Sequence, residues 1–173
     1  GLLRNGVSLT APQRARWKGL SRRLCEQITE LPYSFCHRDY QSRNLMVKQP
    51  LSLTWIDFQD AALGPRVYDL VALLRDSYQS LDEVFVDSKL RDYVTACKLD
   101  DSAFVTIRRE FDLVTVQRKL KDAGRFVFID QHKSDPSYLK YVQPTLAMVT
   151  RSKPSRYCAS TRAGSASVKP MPS

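Results

Sequence analysis

The chain has 173 residues, 43% hydrophobic and 26% charged, which is enough apolar content for one domain with a core of its own. Its formal net charge of +9 sits at the ends: residues 1–25 carry six basic groups and no acid, residues 151–173 carry five and no acid, and the middle sets 16 basic against 18 acidic groups. A nucleic-acid surface would interleave basic and aromatic residues on the folded middle, so no nucleic-acid partner is expected. With no run of about 18 apolar residues, no membrane span is expected either. Cys25, Cys36, Cys97 and Cys158 form no C-x-x-C pair and no secretory h-region is present. Zinc or a disulfide framework is therefore not expected, and a reducing cytoplasmic setting is.

In chain order, the first nine residues carry no pattern. Thr10-Ala11-Pro12-Gln13 reads as a capping box with proline in the first turn. Trp17, Leu20, Leu24, Ile28 and Leu31 then recur at three- and four-residue steps, which predicts a helix lying on a core. Gly19 weakens it and Pro32 ends it. Tyr33-Ser34-Phe35-Cys36 is a strand-like entry to the stretch from Phe35 to Asp76, which holds most of the chemistry. His37-Arg38-Asp39 is followed five residues after the aspartate by Asn44, and Asp57 stands eighteen residues after Asp39, between Ile56 and Phe58. An apolar hairpin, Leu45–Lys48 against Leu53–Asp57, is predicted between them. This is an H-x-D-x-x-x-x-N loop followed by a D-F turn. Phosphoryl transfer needs that set: a carboxylate to take a hydroxyl proton, and oxygen ligands for the magnesium that bridges nucleotide phosphates. An amide oxygen and a carboxylate suit magnesium, a hard cation. The bland alternative makes Asp39 a turn residue, Asn44 a helix cap and Asp57 a surface carboxylate; three anchors in order around a hairpin argue against it.

Two residues after Asp39 stands the uncharged Gln41. Arg43 is the candidate to supply positive charge there, since a guanidinium meets phosphate or carboxylate oxygens in a two-pronged way; pairing with a nearby surface acid is the alternative. Gln59-Asp60 replaces the glycine that protein kinases carry after D-F, and no A-P-E signature follows. A small-molecule acceptor is therefore expected. Gly64-Pro65 predicts a helix start, with Val67, Leu70, Val71 and Leu74 as the buried stripe, Asp69 in the first turn, and Arg75 and Asp76 closing it. Val86, Leu90, Tyr93, Val94 and Cys97 make one further apolar face. Phe104, Ile107, Phe111 and Val114, with Leu113, Val116 and Leu120, make a broader one after Ser102. Asp135-Pro136 opens a last short helix that Pro144 interrupts. From Arg151 onward the chain is Ser, Ala, Arg, Lys and Pro with almost no large apolar group, which predicts a domain over 1–150 and a disordered basic tail over 151–173.

HRDYQSRNLM, IDFQDA and GPRVYDLVALLRD resemble the aminoglycoside phosphotransferase-like small-molecule kinases. Within them they are similar to the N-acetylmuramate/N-acetylglucosamine anomeric kinases of bacterial cell-wall recycling. Gln117-Arg118-Lys119-Leu120-Lys121 with Gly124-Arg125-Phe126 is similar to a helix of that subgroup that lies near the acceptor site. The resemblance implies an α+β, protein-kinase-like C-terminal lobe, mainly α-helical with a small β-hairpin. It implies Asp39 as the base, Asn44 and Asp57 as ligands of Mg2+ with ATP, and Arg43, Asp60 and Asp76 as substrate contacts, Asp76 the best placed for a sugar hydroxyl. His37 and Asp69 would support the loop structurally, and the partners would be a small-molecule sugar and a nucleotide. No G-x-G-x-x-G, Walker A loop or V-A-I-K-like strand occurs in this chain. In that fold those parts belong to an N-terminal nucleotide lobe, so a C-terminal lobe inactive by itself is the expectation. An antibiotic-modifying aminoglycoside kinase remains open, as does a non-catalytic pseudokinase or interaction module, against which the intact Asp-Asn-Asp set argues.

Overall fold

The computed structural model describes residues 8–49 and 52–152, so the tail predicted from residue 151 lies outside them beyond Ser152. Helix α1 (Ala11–Thr29) starts at the predicted capping box: the Thr10 hydroxyl accepts from the Gln13 N–H, and the Gln13 side-chain oxygen accepts from the Thr10 N–H at 2.8 Å. Only the far end of its apolar stripe meets the core: Leu24, Ile28 and Leu31 are half-buried and Leu31 packs on the core cluster, whereas the first half is open. No residue of α1 is buried, and Trp17 and Leu20 are 53% and 52% exposed. Periodicity reports an apolar face, whereas what covers that face is decided by the rest of the fold.

Two small antiparallel sheets follow. Strand β2 (Leu45–Lys48) pairs with β3 (Ser52–Trp55), Leu45 opposite Trp55 and Lys48 opposite Ser52. The second arm is shorter than the predicted Leu53–Asp57, and Asp57 itself turns into the left-handed region at φ 67°, which no ladder accommodates. The second sheet was not foreseen: β1 (Tyr33–Cys36) pairs with β4 (Ala62–Pro65), Tyr33 opposite Pro65 and Cys36 opposite Ala62. Gly64-Pro65 therefore ends a strand where a helix start was predicted. Proline, with no N–H to give, is tolerated at such an edge, and helix α2 (Tyr68–Leu74) begins three residues later. As a result the loops 37–44 and 56–61 both run from one sheet to the other, side by side.

Helices α2, α3 (Glu83–Ala96) and α4 (Ala103–Lys133) bury Val67, Val71, Leu74, Val86, Leu90, Val94, Ile107, Phe111 and Val114 against one another. Each such side chain contributes about 1.5–3 kcal/mol relative to exposure. Cys97, predicted on the buried face of α3, is exposed at its C-cap. Helix α4 is one continuous element of 31 residues, carrying the predicted face from Phe104 to Leu120 and running on past Phe126 to Lys133. After a 3-10 turn at Pro136–Tyr141, helix α5 (Val142–Arg151) runs through Pro144. The predicted interruption fails because Pro144 is the third residue of that helix, where an N–H has no intrahelical acceptor to lose.

A charge cluster around two buried arginines, Arg75 and Arg108, sits at the end of α2. Arg75 and Asp76 do not pair with each other; Arg75, 3% exposed, donates to both Glu83 oxygens at 2.8 and 2.7 Å. Arg108 of α4 donates to Glu83 at 3.0 Å, to Asp87, and to Asp112 at 3.5 Å. Burial pushes the Glu83 carboxyl up, but the hydrogen bonds and charges of Arg75 and Arg108 outweigh it and hold the group at about 2, below its ordinary 4.5. Glu83 therefore adds stability above pH 4.5 that is lost as pH falls toward 2. Asp112 opposes it, because burial raises its carboxyl and protonation relieves that cost. Glu83→Gln is expected to lower the melting temperature at pH 7 and to flatten its decline between pH 4.5 and 2, followed by circular dichroism. An unchanged pH slope would remove Glu83 from the account.

Candidate active site

The loop 37–44 is held from three sides. The Asp69 carboxylate, one residue into α2, accepts from the His37 N–H at 2.7 Å and the Arg38 N–H at 2.9 Å. A carboxylate in a helix's first turn is favoured by the helix dipole, and here it projects back onto the loop. Arg118 of α4, 6% exposed, donates to the Arg38 carbonyl at 3.1 Å, and the Arg38 guanidinium donates to the Asp60 carbonyl at 3.2 Å. Arg38 needs this, because its φ of 71° costs a non-glycine residue roughly 1–2 kcal/mol. His37 is buried, with its Nε2 3.0 Å from the Ile56 carbonyl. A carbonyl only accepts, so Nε2 carries the proton, and Nδ1 has no described partner. The ring thereby ties the loop to the residue before Asp57, and the Ile56 N–H donates to the Asn44 carbonyl at 3.1 Å. Asp69→Ala strips two N–H groups of their shared charged acceptor. It is expected to destabilise the chain by about 2–3 kcal/mol in urea unfolding; a loss under about 0.5 kcal/mol, the usual size for a neutral surface change, would show that water replaces the carboxylate.

These braces bring Asp39, Asn44 and Asp57 together. The Asn44 side-chain nitrogen donates to Asp39 Oδ2 at 2.9 Å and lies 3.5 Å from Asp57 Oδ2. Gln41 donates to the other Asp39 oxygen at 2.8 Å, with the Arg118 guanidinium 3.8 Å from it, and Gln59 donates to Asp57 Oδ1 at 2.6 Å. Asp39 and Asp57 thus face a common amide, with Asp57 held at positive φ. The Asn44 nitrogen is committed to the Asp39 carbonyl, at 2.9 Å, and to the two carboxylates, which leaves its oxygen without a protein donor among the described residues. Among the described residues no group of three His, Cys, Asp or Glu side chains could by itself cage a metal. A few hard oxygens on an open face suit magnesium, which keeps several waters and takes phosphate oxygens.

A cavity of about 240 Å³ opens beside Asp39. Gln41, Asp76 and Ser77 line it from the loop and the end of α2, and Arg118, Lys119, Asp122 and Arg125 from α4. Tyr78, Phe126 and Tyr138 add aromatic walls, with Phe126 and Tyr138 stacked at 5.8 Å and 12°. Asp76 lies here, accepting from the Ser42 hydroxyl and the Tyr78 N–H, both at 3.0 Å. Of the other predicted substrate contacts, Arg43 lies over the Tyr78 ring at 4.0 Å and Asp60 is exposed on the second loop; neither lines the cavity. Lys119 is buried and donates to Ser77 at 3.0 Å and Asp122 at 2.8 Å; burial pulls its ammonium down despite the Asp122 charge. Burial also raises the Tyr78 phenol, against the pull of Arg43. Tyr78, Asp122 and Tyr138 escaped the sequence reading. The usable signal was the spacing 118, 122, 125, 129 on one face of a long helix.

Residues 4–103 match the phosphotransferase enzyme family, APH. The chain is 35% identical over 138 residues to the N-acetylmuramate/N-acetylglucosamine kinase of Pseudomonas putida, covering 78% of this chain and 40% of that protein. It is 37% identical over 138 residues to the protein of the same name from Pseudomonas aeruginosa, with the same coverage. A third, from Neisseria meningitidis, is 35% identical over 149 residues, 80% of this chain and 44% of that protein. The chain thus spans about two fifths of the length of the curated relatives it matches.

Proposed function

The chain belongs to the phosphotransferase enzyme family, and on that premise we propose that it carries the acceptor half of an ATP-dependent kinase acting on C1 of N-acetylmuramate or N-acetylglucosamine. The observation that carries this reading is the Asn44 amide set between Asp39 and Asp57 at the edge of a polar, aromatic-walled cavity. Asp39 takes the proton of the acceptor hydroxyl as its oxygen bonds to the γ-phosphorus and the bond to the β-phosphate oxygen breaks, releasing ADP. Gln41 and Asn44 each donate to one Asp39 oxygen, which fixes the carboxylate plane and leaves lone pairs for the acceptor. Asn44 and Asp57 would hold magnesium, which when bound neutralises charge on the nucleotide phosphates. Asp76 positions a sugar hydroxyl from the cavity wall, and His37 and Asp69 keep the loop in register. The names of the relatives support the acceptor. Phosphorus NMR of the product tests it: a C1 phosphate is expected, and a 6-phosphate or a phosphorylated aminoglycoside would overturn it. The antibiotic reading also fits poorly with Arg118, Lys119, Lys121 and Arg125 in the wall, since a polycation would be repelled.

The described residues form the C-terminal lobe of that kinase, in this reading. Phe35, Trp55, Phe58 and Leu63 are exposed beside the site, at 56–74%, and nothing among the described residues covers the phosphates from that side. Positioning supplies much of the rate of phosphoryl transfer. The 173-residue chain by itself is therefore expected to bind magnesium-ATP weakly and to turn over negligibly. Steady ADP release that Asp39→Asn abolishes would overturn this half-site reading and leave the catalytic assignment standing.

A further inference from the structure

We infer that Arg125 and Lys121, exposed in the cavity wall, set the preference between the two acceptors by binding the carboxylate that N-acetylmuramate carries and N-acetylglucosamine lacks. This rests on the kinase reading above and deepens it, by assigning residues to that choice. Four cationic side chains and three carboxylates line the cavity. Most are already engaged. Lys119 is bonded to Asp122 and Ser77, Arg118 to the Arg38 carbonyl beside Asp39, and Asp76 to the Ser42 hydroxyl and the Tyr78 N–H. Lys121 and Arg125 are the exception: both are exposed, both line the cavity, and neither has a hydrogen-bond or ion-pair partner among the described residues. They lie four residues apart on α4, so their heads reach the same side of one helix.

A neutral hexose needs hydroxyl partners and an aromatic platform, which Asp76, Tyr78, Phe126 and Tyr138 provide without either cation. Two unpaired cations at the mouth suit an oxyanion, and the planar fork of Arg125 matches a carboxylate in particular. The surplus also grows during reaction. Once Asp39 has taken a proton, Arg118 loses its nearest carboxylate, and an anionic acceptor offsets the charge left in the wall.

The test is binding, which needs no second lobe. Ligand-observed NMR on the 173-residue chain compares N-acetylmuramate with its methyl ester, the same sugar without the charge. The acid is expected to bind about tenfold more tightly, the scale of one charge-assisted contact at an open site. Arg125→Gln removes that preference and Arg125→Lys keeps part of it, with Lys121→Gln giving a smaller loss. Arg125 is exposed, so the fold should survive, and unchanged thermal melting confirms it. Equal affinity for acid and ester overturns the inference and leaves the sugar-kinase reading intact. Binding of neither overturns both. If Arg125→Gln weakens magnesium-ATP and spares the acid, the cations serve the nucleotide phosphates and the inference falls.

Discussion

Replacing Asp39 with asparagine is expected to lower turnover by roughly 10²–10⁴-fold, the usual size of a general-base contribution, with little change in the KM for either substrate. On the half-site reading proposed above, the measurement uses a chimera in which this chain replaces the matching two fifths of the Pseudomonas putida relative. The substitution is close to isosteric, and its effect separates chemistry from structure. Asp39 Oδ2 receives the Asn44 amide and Oδ1 the Gln41 amide; an asparagine oxygen still accepts one, and Gln41 turns to present its own oxygen to the new amide. The loop is held mainly at His37 and Arg38, through Asp69 and Arg118, and the Asp39 side chain carries little of that load. What disappears, on the proposed reading, is the acceptor for the hydroxyl proton. A fall in kcat with KM preserved is the signature of an interaction made in the transition state. A variant within threefold of the parent rate would remove Asp39 as the base.

Much of this site was legible because its groups are close in sequence. Asp39, Asn44 and Asp57 fall within nineteen positions around a hairpin, and a hairpin returns its ends to each other. Asp69 was legible as a brace through the resemblance, and its bonds to two successive N–H groups give that role a geometry. Arg118 was harder. It lies 80 residues from the carbonyl that it holds, and nothing local marks it as more than part of a basic run. Arg43 was chosen as the cation near the phosphates because it neighbours the loop, yet its guanidinium lies over Tyr78.

The fold divides the same way. Stripes at Val86, Leu90 and Val94 and at Ile107, Phe111 and Val114 were read from period alone and are the core. The pairing of Tyr33–Cys36 with Ala62–Pro65 was not readable, because both strands are four residues long and one ends in Gly-Pro, a helix-start signal. The α1 stripe shows the reverse failure: its period is right, but Trp17 and Leu20 have no core beneath them.

Asp57→Ala is expected to act on metal and nucleotide where Asp39→Asn acts on rate. An outer partner of a metal ligand typically costs about 10–100-fold in affinity when removed, and a direct ligand should cost at least the upper end of that range. Gln59, which donates to Asp57 Oδ1 at 2.6 Å, would be such an outer partner on the proposed reading, so Gln59→Ala sets the smaller effect within the same experiment. On the proposed reading the two must differ, because Asp57 would contribute both a ligand oxygen and a negative charge, whereas Gln59 would only aim it. Asp57 also stands at φ 67°, a conformation alanine tolerates less well than aspartate. Some loss of stability will therefore accompany the substitution, and Asp57→Asn separates the two causes by keeping the side chain's size and the short bond from Gln59 while removing the charge. Water-proton relaxation with manganese in place of magnesium, with and without ATP, reads the affinity directly. Asp57→Asn should follow Asp57→Ala in losing the metal while melting close to the parent. If Asp57→Asn binds manganese-ATP as the parent does, the Asp57 carboxylate is not a ligand, and its approach to Asn44 serves only to shape the turn.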